Sequence, residues 1–164
     1  MSIYDFAMKM EQDGRSFYLA HAEKVSAPEL KRILLELADD ELKHYNLFKS
    51  MGEGHKAELT GSQQTHILST VRNVFETMKA ANKNYSFPAE AKKIWQEAQE
   101  VEKKSEKLYR EKAEEVSAPD QKKVLHAIAD EEHKHWVTLQ NVIEFLDRPK
   151  HWLEDAEWTK LEEY

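Results

Sequence analysis

The sequence predicts an all-α protein built around a bundle of four long helices, and three observations carry that prediction. Only four Gly and four Pro occur among 164 residues, whereas 34% of the residues are charged, a composition typical of long helices. An offset of 91 residues aligns 8–47 with 99–138 without a gap, and 15 of the 40 aligned pairs are identical. Apolar residues recur at helical spacing in both copies. The repeat therefore predicts two related helical hairpins that pack into one bundle.

Each copy is expected to form a helix, a short turn and a second helix. Helical spacing in the first copy begins with Ile3, Phe6, Met10 and Phe17. The pattern then breaks at Ser26, which we expect to cap the second helix, with Glu29 completing a capping box. The second copy repeats this turn around Ser117 and Asp120. We expect the four long helices at about residues 3–24, 27–50, 88–115 and 118–146.

The connection between the copies, about residues 51–87, is long and contains a helix of its own. The amphipathic pattern is formed by Ile67, Val71, Val74, Phe75 and Met78. Two short-looped hairpins joined by a long helical crossover favour a ferritin-like four-helix bundle. We expect the bundle over residues 1–148. The tail, residues 149–164, is expected to form a short helix that packs on the bundle or on a second subunit, through Trp152, Leu153, Trp158 and Leu161.

Charge, hydropathy and cysteine content exclude several classes of protein. The net charge is −7 without a basic stripe, which argues against a nucleic-acid partner. No apolar run approaches the length of a membrane span. The segment Met1 to Phe6 lacks the regions of a signal peptide, so we expect a cytoplasmic protein. With no cysteine, the chain itself offers no disulfide, thiolate nucleophile or iron–sulfur cluster.

Four glutamates lie on the apolar faces of the predicted helices. Glu11 has Tyr4, Ala7, Gly14 and Tyr18 on its face, and Glu102 has the corresponding Trp95, Ala98, Ser105 and Tyr109. Glu41 and Glu132 lie in similar leucine- and isoleucine-rich surroundings. An unpaired buried carboxylate costs several kcal/mol on a rough scale, so four of them need compensating positive charge. Two divalent metal ions would neutralise the four carboxylates.

Two of these glutamates are each followed by a histidine three residues later, which places carboxylate and imidazole on one helix face. The pairs are Glu41 with His44 and Glu132 with His135, and each lies 30 residues after an inward glutamate. One Glu from each of two helices plus a Glu-x-x-His pair from each of the other two is the ligand pattern of di-iron carboxylate bundles. Buried ion pairs and core histidines are the alternative interpretation, but they leave the repeat unexplained.

The segments Met10–Tyr18, Leu37–His44, Val101–Tyr109 and Ile128–His135 resemble helices of the rubrerythrin and ferritin-like superfamily. The resemblance spans most of the chain, up to about Leu146. It implies a non-haem di-iron site with six ligands, Glu11, Glu41, His44, Glu102, Glu132 and His135, in which Glu41 and Glu132 bridge the metals. Family members with this bundle reduce hydrogen peroxide or oxidise ferrous iron.

The chain departs from the family pattern in two respects. Typical rubrerythrins carry a further Glu one turn before the third-helix ligand, where this chain has Gln99, so the family's peroxidase chemistry does not transfer directly. They also append a cysteine-rich rubredoxin domain, whereas this chain has no cysteine. Any electron donor is therefore expected to be a separate molecule.

Several residues near the ligands leave two interpretations open. Tyr18 and Tyr109 could hydrogen-bond the ligating carboxylates or serve as core aromatics. Gln99 could also hydrogen-bond near the site. Among the acids beside the histidines, Asp39, Asp40, Asp130 and Glu131, we expect at least two to face solvent.

The leading functional hypothesis is redox chemistry on hydrogen peroxide or dioxygen at two iron ions, with an external reductant. Oxygen and nitrogen ligands with open positions suit iron or manganese, and zinc competes for such sites. The alternatives are oxidation or handling of ferrous iron, and a structural or sensory metal site. The aromatic tail suggests a homodimer.

Overall fold

The computed structural model of the chain describes residues 2–163, and the side chains of residues 2–161. It confirms an all-α, ferritin-like bundle, with no strand in that range. The described residues form six α-helices: α1 (Ile3–Ala22), α2 (Pro28–Gly52), α3 (Ile67–Ala81), α4 (Lys93–Glu115), α5 (Pro119–Asp147) and α6 (Pro149–Glu154). Short 3₁₀ helices cover Gly61–Gln63, Ala89–Lys92 and Glu157–Glu163. None of the described helices combines the length and the apolar character that crossing a membrane requires.

The repeat predicts the pairing of the long helices. α1 packs mainly against α2, and α4 packs mainly against α5. Each hairpin turns at a Ser-Ala-Pro sequence whose proline occupies the first turn of the following helix, where its missing N–H is not needed.

The caps of the helices differ from the prediction. Ala27, not Ser26, is the N-cap of α2, and no side chain caps that end, so the predicted capping box with Glu29 is wrong. The reason is that Pro28 sets the start of the helix one residue further along the chain. A capping box lies instead at α1, where the Ser2 hydroxyl accepts the Asp5 N–H and the Asp5 carboxylate accepts the Ser2 N–H.

The buried face of α1 is the one that carries Glu11. Tyr4, Ala7, Gly14 and Tyr18 are buried beside it. The apolar row that begins with Ile3 and Phe6 lies to one side, and Phe6 is 45% exposed. The predicted helix is therefore present, but the row of Ile3 and Phe6 is not its buried face.

The crossover and the tail cover one side of the bundle together. The amphipathic face predicted for α3 is buried from Ile67 to Met78. Asn82, with a φ of 49°, ends this helix in the left-handed conformation that asparagine tolerates. The four tail residues predicted to be apolar contacts, Trp152, Leu153, Trp158 and Leu161, are buried in the same apolar cluster as α3. Met1 and Tyr164, the ends of the predicted bundle and tail segments, lie outside the described residues, and the homodimer stays a prediction.

Candidate metal centre

The four inward glutamates and the two histidines meet at the middle of the bundle. Each of the six side chains is at most 3% exposed. They lie between two apolar clusters, one containing Tyr18, Leu37 and Trp95, the other containing Tyr4, Phe48 and Leu125. Helical periodicity explains the position of these side chains. Along α1 and α2, Glu11 and Glu41 each lie between buried residues of one apolar cluster and buried residues of the other. The result is a polar centre enclosed by apolar layers.

The six side chains form two groups of four that share two members. One group is Glu11, Glu41, His44 and Glu132, and the other is Glu41, Glu102, Glu132 and His135. Within each group, one candidate ligand atom per residue lies within 4.8 Å of the others. Glu41 and Glu132 belong to both groups, which is the position that the resemblance to rubrerythrins implies for bridging carboxylates.

Both imidazoles direct Nδ1 toward the carboxylates. The Nδ1 atom of His44 lies 3.1 Å from Glu132 Oε1 and 3.5 Å from Glu11 Oε2. The Nδ1 atom of His135 lies 3.1 Å from Glu41 Oε1 and 3.2 Å from Glu102 Oε1. The two rings are nearly parallel, with centroids 6.0 Å apart and an interplanar angle of 21°. The two halves of the centre thus repeat one arrangement.

The Nε2 atoms point the other way, each to an acid from the opposite hairpin. His44 Nε2 lies 2.8 Å from Glu131 Oε1, and His135 Nε2 lies 2.9 Å from Asp40 Oδ2. An ionised carboxylate only accepts hydrogen bonds, so each Nε2 carries a proton, and Nδ1 is the ring nitrogen that faces the centre, where a metal ion would replace its proton. Asp39 and Asp130, the neighbours of these acids, are exposed, as expected for two of the four.

Two tyrosines bond the carboxylates of the opposite hairpin. The Tyr109 hydroxyl donates to Glu11 Oε1 at 2.8 Å, and the Tyr18 hydroxyl donates to Glu102 Oε1. Burial, reinforced by the nearby carboxylates, raises the pKa of both tyrosines well above 10.0, so the hydroxyls keep their protons. Each tyrosine therefore fixes Oε1 of a glutamate, while Oε2 of both Glu11 and Glu102 forms no hydrogen bond among the described residues.

The donor atoms at the centre fit a cation. Five of them are buried and form no hydrogen bond of good geometry among the described residues, although several lie close to one another. They are Glu11 Oε2, Glu41 Oε1, His44 Nδ1, Glu102 Oε2 and Glu132 Oε1. Once deprotonated, all five offer lone pairs, and a buried lone pair without a partner is costly. A pair of divalent ions would satisfy several at once. Oxygen and imidazole donors of this kind suit iron, manganese or zinc.

The raised pKa values of the central glutamates and histidines also indicate that the buried carboxylates need compensating positive charge. Burial raises the pKa of Glu41 and of Glu132 well above 4.5, and the neighbouring carboxylates raise it further. Burial alone would lower the pKa of His44, but Glu11 and its other acidic contacts raise it well above 6.5. His135 behaves in the same way. Protons and metal ions therefore compete for one set of atoms.

Gln99, the position at which the chain departs from the family, is not part of the centre. Its side-chain amide donates to Gln140 Oε1 at 2.9 Å and approaches the Trp136 carbonyl oxygen at 3.5 Å. It is half-buried on the flank of α4 and α5.

Thr65 is a residue of the centre that the sequence does not single out. It lies in the crossover just before α3 and bonds both Asp40 and Glu131. No periodicity marks it, because it lies in an irregular segment. The only signal is its position shortly before an amphipathic helix, where a threonine ordinarily indicates a helix cap.

The fold and the centre define a ferritin-like bundle with a buried carboxylate and histidine site suited to metal. A protein-family model described as Rubrerythrin matches residues 3–143. The chain therefore belongs to the rubrerythrin family, whose ferritin-like domain is of the di-iron type. No curated protein and no solved structure matches the chain.

Proposed function

We propose that the chain is a di-iron oxidoreductase that reduces hydrogen peroxide, with electrons from an external donor. The observation that carries the proposal is the pair of four-residue groups that share Glu41 and Glu132. Family membership supports iron at the site, because the family has a di-iron domain. The proposed ligands are the six residues predicted from the repeat, Glu11, Glu41, His44, Glu102, Glu132 and His135.

The proposed chemistry divides the work between metal and protein. The six ligands would hold an iron pair, which would supply the two electrons that reduce peroxide to two waters, together with two protons. The four glutamates balance the charge of two divalent ions. Asp40 and Glu131 hold the proton on each Nε2, so that both Nδ1 lone pairs point to the centre. The Tyr18 and Tyr109 hydroxyls hold protons at the edge of the centre, and the apolar clusters on either side exclude bulk water.

The test is metal analysis combined with rapid kinetics of the ferrous protein. We expect two iron ions per chain after anaerobic reconstitution. Mixing with hydrogen peroxide should oxidise both ions in a single turnover, and an added reductant should restore the ferrous state. A protein that binds no paired metal, or that binds two ions but remains ferrous in peroxide, contradicts the proposal.

A double substitution separates the site from the fold. Glu41→Ala with Glu132→Ala removes both shared carboxylates, so most of the metal binding should be lost. The variant should remain folded, because the pKa values of these two side chains show that their burial as ions is unfavourable. Its melting temperature is compared with that of the metal-free wild-type chain, and retention of two metals would contradict the ligand assignment.

Gln99 favours a second candidate, oxidation of ferrous iron by dioxygen. Its side chain is an amide, not a carboxylate, and it is bound to Gln140. If the further carboxylate of typical rubrerythrins is needed for fast peroxide reduction, dioxygen becomes the better oxidant here. Stopped-flow mixing of the ferrous protein with peroxide and with dioxygen, in separate experiments, ranks the two candidates.

A further inference from the structure

A single residue of the crossover joins the two acids that hold the two imidazoles. The Thr65 backbone N–H donates to Glu131 Oε2 at 2.7 Å. Its hydroxyl donates to Asp40 Oδ2, the same oxygen that His135 Nε2 contacts at 2.9 Å. Thr65 is only 8% exposed, and its hydroxyl oxygen also accepts the Ile67 N–H at 3.2 Å.

These bonds form one continuous chain across the centre. It runs from His44 to Glu131, from Glu131 to Thr65, from Thr65 to Asp40, and from Asp40 to His135. Asp40 and Glu131 are equivalent positions of the internal repeat, whereas Thr65 lies between the two copies. The hydrogen bonds that connect the two rings therefore pass through one residue outside the repeat.

We propose that Thr65 is a positioning residue that fixes Asp40 and Glu131 so that both histidines present Nδ1 to the metal centre. The inference rests on the proposed function, because it takes His44 and His135 as ligands. Thr65 acts through the two acids and touches neither metal nor substrate. Partners of this kind orient a ligating imidazole and fix its tautomer.

The two halves of the metal centre contact different atoms of Thr65, so a single substitution should affect them differently. The hydroxyl serves the half that contains Asp40 and His135, whereas the backbone N–H serves the half that contains Glu131 and His44. A substitution at Thr65 removes the hydroxyl but keeps the N–H. Thr65→Val, which has nearly the same shape, should therefore loosen the His135 half and spare the His44 half.

The first experiment is a titration of the metal-free full chain with Co²⁺ in the presence of a competing chelator. Wild type should bind two equivalents. In Thr65→Val one equivalent should weaken about tenfold, the lower end of the range for loss of such a partner, and the other should keep its affinity. Thr65→Ser restores the hydroxyl and should restore both equivalents. Unchanged binding, or equal weakening of both equivalents, overturns the proposal.

Thr70→Val is the matched control. The Thr70 hydroxyl donates to both oxygens of Glu36 at 2.8 Å, so it also links α3 to α2 through a threonine and a carboxylate. The hydroxyl bonds Glu36 and the His66 carbonyl oxygen, and none of its hydrogen bonds involves the six proposed ligands, Asp40 or Glu131. Its loss should lower the stability of the fold without a selective loss of one Co²⁺ equivalent. A selective loss in this control would show that any weakening of the crossover is sufficient, and would overturn the specific role of Thr65.

A second measurement, hydrogen exchange at the histidines, needs no metal. It can therefore show whether Thr65 positions the rings even if the proposed function is wrong. In the metal-free protein labelled with ¹⁵N at histidine, the Nε2–H of both buried rings should be protected from exchange. Thr65→Val should increase exchange at His135 and leave His44 protected, whereas equal protection in both variants overturns the inference. If wild type bound no metal but showed this pattern, the proposed function would fail while the positioning role of Thr65 stood.

Discussion

Gly14 lies where a side chain would enter the carboxylate centre. A Cβ at this position would lie 3.0 Å from Glu41 Oε2 and 3.5 Å from Glu41 Cδ. The helix itself would gain from the change, because alanine is about 1 kcal/mol more favourable than glycine inside a helix. Gly14→Ala should therefore leave the metal-free protein about as stable, yet weaken metal binding roughly tenfold by displacing a proposed bridging carboxylate.

The repeat supplies the control for this prediction. Ser105 is the counterpart of Gly14 and is 6% exposed, but it already carries a Cβ. Ser105→Ala adds no atom to the centre, so its metal affinity should match that of wild type. Chelator competition and thermal unfolding measure both effects. Equal metal affinity in Gly14→Ala and wild type would contradict the proposed crowding of Glu41.

Gln99→Glu tests whether the missing carboxylate limits the reaction. If peroxide reduction depends on the carboxylate that typical rubrerythrins carry at this position, adding one should accelerate oxidation by peroxide. The structure changes this expectation, because the Gln140 amide can rotate and donate to the new carboxylate where it stands. We expect no acceleration in single-turnover oxidation of the ferrous protein, and the same result for Gln99→Ala. A faster reaction in Gln99→Glu alone would show that the side chain reaches the metals.

At the scale of elements, the tail contributes to the core that α3 forms. Trp158 is 2% exposed, its indole N–H donates to the Trp152 carbonyl oxygen at 2.8 Å, and its ring meets Phe75 edge to face at 5.8 Å. Trp158→Ala should therefore lower the free energy of unfolding by about 3–5 kcal/mol. Urea unfolding at two protein concentrations measures it, and the loss should not depend on concentration because the contacts lie within one chain.

Leu35→Ala is the comparison for the tail, since Leu35 is 43% exposed and should change stability by less than about 0.5 kcal/mol. A loss in Trp158→Ala that is no larger than this, or that disappears in dilute protein, would contradict the packing of the tail on its own bundle.

The repeat and the helical period predict most of the architecture and the meeting of the six central residues. They do not decide between adjacent acids such as Asp39 and Asp40, because both flank the inward face and the choice depends on where the opposite hairpin places its histidine. The bonds of Thr65 to Asp40 and Glu131 could not be predicted for a related reason. Its partners are set by the path of an irregular segment, and no periodic pattern records that path.

At the scale of the whole molecule, the centre links folding to pH. The folded pKa values of His44 and His135 are raised above 6.5, so the stability they contribute is fully present below pH 6.5 and is lost as pH rises through the folded values. Glu41 and Glu132 act in the same direction from 4.5 upward. Glu11 has a lowered pKa, so its contribution is lost only in acid.

The metal-free protein should therefore melt at progressively lower temperature as the pH rises above 6.5. Metal binding must displace the same protons, so the increase in melting temperature on adding iron or cobalt should grow over this range. Calorimetry of both forms in matched buffers measures the two slopes. The Glu41→Ala, Glu132→Ala variant should lose the metal effect, and a metal-free wild type that gains stability with rising pH would contradict the charge assignment.

Four hydrogen bonds of the centre run between the hairpins: Tyr18 to Glu102, Tyr109 to Glu11, His44 to Glu131 and His135 to Asp40. Neither copy supplies both members of any of these pairs. A single hairpin would therefore supply only one partner of each of these four hydrogen bonds. It would have to associate with a second hairpin to form them. Joining two copies in one polypeptide makes that association unimolecular, so the completeness of the centre no longer depends on dilution. It also lets the two copies diverge, as Asp40 and Glu131 have, provided that each change suits a partner in the other copy.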